Sequence, residues 1–296
     1  MSTQTIGFVG LGAMGGAMVE HLMTAGYSLR VYARRAEVMQ PFIKRGGVGC
    51  ASPGETARGA EIVLINVTST SDVEQVLFGK EGVIESAAAG TVVIDHGTIS
   101  AIATRQFAQR LADRGIEMLD CPVSGGARGA QAATLSIMVG GKQQVFERAR
   151  PLLEKLGKTI TYCGDHGAGQ IVKACNQIVQ VINIQGIAEA MLFARANGVD
   201  PATMLNAISA GFAGSKMLDL LGPKMASRDF AAGMQAWLHH KDYGLVVDMA
   251  RESNLAMPAV ALVAQQLNAL VGHGWGNLDT SALLKVLEAT SGRSNE

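Results

Sequence analysis

Residues 5–25 read as a β-strand, a glycine turn and a helix with nothing in between. Thr5-Ile6-Gly7-Phe8-Val9 is a short apolar run, Gly10-Leu11-Gly12-Ala13-Met14-Gly15 follows at once, and 14–25 has helical periodicity. The spacing G-x-G-x-x-G has a mechanism only in that setting. Gly10 permits a tight turn, Gly12 removes a Cβ that would collide with a pyrophosphate, and Gly15 lets the helix sit close on the strand. The helix N-terminus then offers N–H groups and a partial positive charge to phosphates. Gly10, Leu11, Gly12, Ala13, Met14 and Gly15 are therefore the expected cradle of a dinucleotide.

The pattern after this turn repeats. β-branched runs at 5–9, 28–32, 62–67, 92–95, 117–120, 135–139 and 159–162 alternate with helical segments, among them 14–25, 102–114 and 143–156. Strands separated by helices imply crossovers and a largely parallel sheet covered on both faces. Past residue 167 the alternation stops. Apolar residues then recur at helical spacing from 167 to 197, with Asn197-Gly198 and Pro201 marking the end. Such a helix is about 40 Å long, and further helices are expected at 201–210, 216–225, 240–253, 258–271 and 280–290. The expected fold is α/β, a Rossmann-type doubly wound sheet, followed by an all-helical second domain joined by the long helix. The expected boundaries are 1–164 for dinucleotide binding and 165–296 for substrate binding and dimerisation.

Composition excludes several functions. Lys plus Arg and Asp plus Glu both number 25, so the basic excess of a nucleic-acid or anionic-membrane binder is missing. Cys50, Cys121, Cys163 and Cys175 show no C-x-x-C spacing and suit neither a disulfide framework nor a metal site. Reduced thiols, no signal-like N-terminus and apolar runs read as too interrupted to span a bilayer point to a cytoplasmic protein with no membrane partner. Cys175 reads as core, and Met191, Met217 and Met249 as packing residues.

Two further segments carry chemistry. The second run ends Val31-Tyr32-Ala33-Arg34-Arg35, with no carboxylate at its tip. An acid there reads the ribose of NAD, whereas an arginine accommodates the extra phosphate of NADP, so Arg34 favours NADP(H) over NAD(H). Asn66 and Val67, closing the third run, complete this side of the cofactor set. At the opening of the long helix, Lys173 and Asn176 stand three apart and share a face, with Val172, Ala174, Cys175 and Ile178 as apolar neighbours. A lysine in such a wall is disposed to proton transfer, because desolvation favours its neutral form. From this segment alone, a lysine snorkelling from a half-buried helix is an equal alternative.

Four segments in register resemble the β-hydroxyacid dehydrogenase family, almost end to end. They are Gly7 to Gly15, Asp120-Cys121-Pro122-Val123-Ser124-Gly125-Gly126, Gly167 to Asn176, and Leu238-His239-His240-Lys241-Asp242. The resemblance implies Lys173 as the catalytic lysine, Ser124, Gly125, Gly126, Asn176 and Lys241 as substrate-binding residues, and Thr98 and Lys241 as cofactor contacts. His96 and Gly97 depart from the family's usual pair before that threonine. The implied partner is a small anionic hydroxy or carbonyl compound, with no nucleic acid and no metal. The version resembled most is 2-hydroxy-3-oxopropionate (tartronate semialdehyde) reductase. The alternatives are 3-hydroxyisobutyrate dehydrogenase, a reductase of a small phosphonate or sulfonate carbonyl compound, and a non-enzymatic NADP-binding interaction module. Lys173 argues against the imine reductases, and Asn176 in place of a histidine argues against 6-phosphogluconate dehydrogenase. The Gly211-to-Lys216 segment is expected to line the far end of the substrate pocket. The apolar helical part implies a homodimer or homotetramer.

Overall fold

The structure, a computed structural model, describes residues 4–293. Its packing divides the chain into two units, Met1–Lys173 and Ala174–Glu296, and the division falls inside the long helix.

The first unit is a sheet of nine strands among the described residues: β1 Thr5–Val9, β2 Ser28–Tyr32, β3 Val48–Gly49, β4 Ile62–Ile65, β5 Val92–Asp95, β6 Glu117–Asp120, β7 Val123–Ser124, β8 Leu135–Gly141 and β9 Gly157–Gly164. Their order is β3-β2-β1-β4-β5-β6-β8-β7, with β9 also on β8. From β3 across to β6 every pairing is parallel, and β8 runs antiparallel to β6 and β7. The reason lies in the runs themselves. β4 and β5 are buried at every position, as a sheet covered on both faces requires. Alternate residues feed two cores. Ile6, Phe8, Leu64, Val92 and Ile94 pack with Met18, Val19 and Leu22 of the helix Ala13–Thr24. Val9, Val63, Ile65 and Val93 pack on the other side with Val73, Leu77, Phe107 and Leu111.

All seven runs expected as strands are strands. β3 and β7 were not expected; each is two residues long and offers no period to read. The parallel order reverses direction of growth between β1 and β4, where open α/β sheets bind ligands beyond the strands' C-terminal ends.

The long helix spans Ala168–Ala196. It is the one described helix long and apolar enough to cross a membrane by length and composition, which corrects the expectation that the apolar runs are too interrupted for that. Its apolar residues are accounted for in part by packing: Val181, Ile184, Ile187, Ala188 and Met191 enter the core of the second unit. That core also takes Tyr243, Val246, Val263, Leu267, Leu270 and Leu283 from the helices Ala236–Glu252, Pro258–Gly272 and Leu283–Thr290. Met191 is buried in this core, and Met217 and Met249 pack against the core, as expected. The helix Ala236–Glu252 begins four residues earlier than its periodicity suggested. There Gln235 bridges Asp279, and the amide of Ala236 donates to the carbonyl of Leu278. Glu288 is buried and takes two bonds from Arg228, at 2.5 and 3.0 Å, and one from Arg195, at 2.9 Å, so its charge is compensated inside the unit.

Candidate active site

The three glycines of the first turn have different reasons to be glycine. Gly10 has φ +98°, and a Cβ on it would overlap the carbonyl oxygen of Asn66 and lie 3.1 Å from Val67 Cγ1. A Cβ on Gly15 would strike the carbonyl oxygen of Gly10. Both are therefore demanded by the protein's own backbone. Gly12 is not. It has φ −68° and ψ −171°, which any residue adopts, and a Cβ there would meet nothing within 4 Å. Gly12 and Ala13 are exposed at the start of a helix with no side-chain cap and no acid in its first turn. Amides without an internal partner beside a glycine that the fold does not need are what a pyrophosphate requires. The residues fit a dinucleotide.

Arg34, just past β2, is 86% exposed at its side chain and lies 3.7 Å from Asp72 Oδ1. Asp72 belongs to the helix Thr70–Phe78, capped by Ser69. Sequence reasoning missed this carboxylate beside the strand tip, because the pair is separated by 38 positions and nothing local announces it.

At the ends of β5 and β6, three segments meet. Asp95 Oδ1 accepts the amide of Gly97 at 2.9 Å. His96 Nδ1 donates to the carbonyl of Cys121 at 2.9 Å, and its Nε2 is buried with no hydrogen-bond partner among the described residues. Burial lowers the His96 pKa to about 4, so the ring is neutral near pH 7 and is no proton donor there. His96 thus ties the segment before Thr98 to the segment leading to Ser124. Thr98 and Ser124 are half-buried, whereas Gly125 and Gly126, at φ +129° and +60°, are exposed at the turn into the helix Gly126–Gln131.

The long helix starts on that same platform. Asp120, buried at the end of β6, accepts the amide of Gly167 at 2.8 Å and that of Gln170 at 3.0 Å, one on each carboxylate oxygen. A Cβ on Gly169 would lie 2.7 Å from the Asp120 carbonyl oxygen and 2.5 Å from that of Met138, so glycine lets the helix end approach the sheet. Burial raises the Asp120 pKa, and the two amides act against that shift. Gln170 is 1% exposed; its Oε1 accepts the amide of Ile99 at 3.1 Å and its Nε2 donates to the carbonyl of Gly97 at 2.9 Å. Lys173, one turn further on, is 7% exposed.

In the second unit the continuing helix carries a polar network. Asn176 Nδ2 donates to Gln177 Oε1 and Gln180 Oε1, at 2.8 and 3.2 Å. Gln177 Nε2 donates to Asp242 Oδ2 at 2.5 Å, and Asp242 is paired with Lys241 at 2.8 Å. His239 Nε2 accepts from Gln180 Nε2 at 3.3 Å, and its Nδ1 is 2.7 Å from Thr280 Oγ1. His240, facing elsewhere, bonds Asn268. Sequence reasoning chose Asn176 and passed over Gln177. Gln177 is buried, as Lys173 is, whereas Asn176 is only half-buried. One correction concerns Cys175, which is exposed rather than core, as is Val172, whereas Ala174 is buried in the core of the second unit and Ile178 packs against that core. Lys216 is exposed at the start of a helix capped by Ser215, whose Oγ also donates to Asn183.

Comparison with known proteins agrees with this geometry. Residues 5–164 match the NAD binding domain of 6-phosphogluconate dehydrogenase, and residues 167–287 match the NAD-binding domain of NADP-dependent 3-hydroxyisobutyrate dehydrogenase. The chain is 40% identical to 2-hydroxy-3-oxopropionate reductase of Escherichia coli K12, over 96% of this chain and 97% of that one. It is 35% identical to 3-hydroxyisobutyrate dehydrogenase of Pseudomonas aeruginosa, over 95% and 97%. The 3-hydroxyisobutyrate dehydrogenase of Mycobacterium tuberculosis, solved with L-serine, superposes with TM-score 0.89 at 30% identity, over 97% and 99%. Imine reductases share the fold at 18–22% identity. With a glycine turn suited to a pyrophosphate, a buried lysine on the helix that begins the second match, and relatives of this similarity along the whole chain, the protein belongs to the β-hydroxyacid dehydrogenase family of NAD(P)-dependent oxidoreductases.

Proposed function

We propose that the protein reduces 2-hydroxy-3-oxopropionate, or a closely related small carbonyl acid, to the β-hydroxyacid with NADPH. The observation that carries this reading is the burial of Lys173 on a helix whose first turn is bonded both to the 97–99 segment and to Asp120. A reduced dinucleotide held through its pyrophosphate at the glycine turn would supply the hydride. Lys173 as ammonium stabilises charge building on the carbonyl oxygen and delivers a proton to it. Ser124, Gly125 and Gly126 offer a hydroxyl and backbone amides to the substrate's anionic group, with Asn176 and Lys241 as further polar contacts. Gly10 to Gly15, Asn66, Val67 and Thr98 hold the cofactor, and Arg34 takes the 2′-phosphate that distinguishes NADP from NAD.

In this reading 1–164 is the dinucleotide-binding part and 165–296 the substrate and dimerisation part. Val179, Phe193 and Phe212 are exposed apolar residues of the second part, which suits a homodimer or homotetramer; a monomer by light scattering contradicts that assembly. The four cysteines are free, in keeping with a cytoplasmic enzyme. The deciding experiment is a turnover panel of small aldehyde and keto acids, with phosphonate and sulfonate analogues, against NADPH and NADH. The fastest reduction is expected for 2-hydroxy-3-oxopropionate with NADPH. Reduction of none of them removes the assignment.

A further inference from the structure

Gln170 is buried at a junction that a single side chain closes. Its backbone amide donates to Asp120, at the head of the segment that leads to Ser124. Its side chain uses both ends on another segment: Oε1 accepts from the amide of Ile99, and Nε2 donates to the carbonyl of Gly97. Thr98 lies between those two bonds. Lys173 follows on the same helix, three residues later.

We propose that Gln170 is a positioning residue that locks the Gly97–Thr98–Ile99 backbone to the helix carrying Lys173, and so sets the cofactor-contacting segment in register with the proton donor. The inference rests on the roles given above to Thr98 and Lys173. Only an amide of this length satisfies the junction. A leucine leaves a buried N–H and a buried carbonyl without their partner. A glutamate still accepts from Ile99 but, when ionised, presents oxygen to oxygen at Gly97. Asp120 holds the helix end through backbone amides alone and survives either substitution, so the helix is retained while the segment is released.

The test is Gln170→Leu and Gln170→Glu in the full-length enzyme, with NADPH and with NADPH deuterated at the transferred position. Misplacing reacting groups by about an ångström costs up to about 100-fold, so kcat is expected to fall more than about 10-fold while both KM values stay within about threefold. The deuterium isotope effect on kcat should rise as hydride transfer becomes slower than the other steps. General loss of folded enzyme lowers kcat without moving the isotope effect. Parental kcat in both variants, or a lower kcat with an unchanged isotope effect, overturns the proposal. Melting temperature, read on both variants, identifies one that is not folded, and the other then decides. Failure of the proton-donor reading shows elsewhere, as parental turnover of Lys173→Ala, and leaves the isotope measurement on Gln170 as it stands.

Discussion

Asp120 and Gly140 are register partners where β6 meets the antiparallel β8, and the carboxylate of one fills the space a side chain on the other would take. A Cβ on Gly140 would stand 2.5 Å from Asp120 Oδ1. The same carboxylate holds the first turn of the long helix, so the seam of the sheet and the start of that helix share one side chain. Gly140→Ala is therefore expected to cost about 1–3 kcal/mol, as overpacking in a buried site does, read as a lower midpoint in urea unfolding. An unchanged midpoint refutes this account of the seam.

The glycine turn yields a paired prediction. Gly15→Ala forces a methyl into the carbonyl of Gly10 and should lower the melting temperature sharply. In Gly12→Val the added Cβ meets nothing within 4 Å, so melting should fall far less than in Gly15→Ala while the Kd for NADPH rises at least about 10-fold through lost contact with the phosphates. Cofactor titration by nicotinamide fluorescence beside a thermal melt separates the two. Equal cofactor affinity in Gly12→Val speaks against a pyrophosphate at this turn.

If Arg34 reads the 2′-phosphate as proposed, Arg34→Ala should shift kcat/KM about 10-fold from NADPH towards NADH, the scale of one hydrogen bond to a charged group. Asp72→Asn should move the ratio the other way, since Asp72 competes for the same guanidinium. If both variants keep the parental ratio, Arg34 does not read the phosphate.

His96 gives a pH prediction with a definite sign. Its folded pKa of about 4 lies below the ordinary 6.5, so the unfolded chain binds the extra proton first. The stability it contributes is complete above about pH 6.5 and drains away as pH falls towards 4, by about 2 kcal/mol at pH 5. Asp120, with its raised pKa, acts in the opposite sense. His96→Asn, which keeps an N–H for the Cys121 carbonyl, should lose less stability than the parent between pH 7.5 and 5. Urea unfolding at those two values measures it, and identical losses in both proteins contradict the assignment.

Lys173→Ala should lower turnover about 100-fold or more while NADPH affinity stays close to that of the parent, because general-acid catalysis contributes on that scale. Single-turnover rates with a pre-bound cofactor give the chemical step directly. Turnover near the parental rate would exclude the lysine as the acid.

What the sequence made legible follows from what is locally encoded. The seven longer strand runs could be read because β-branched and apolar residues stand out in them, continuously in β4 and β5, which are buried on both faces, and in alternation in β2. The glycine turn could be read because its spacing sits between a strand and a helix. β3 and β7 were hidden by their length. Asp72 beside Arg34, and the Asp120 and Gln170 bonds, join positions that only the folded chain brings together. No spacing rule reaches them.

Of the three glycines in the opening turn, only Gly12 is free of any duty to the polypeptide itself. A lineage that gave up its dinucleotide would still be held to Gly10 and Gly15 by folding, but nothing would stop position 12 from drifting to larger residues. That one site can thus serve as a gauge, telling working reductases of this architecture from descendants that keep the scaffold and have abandoned the chemistry.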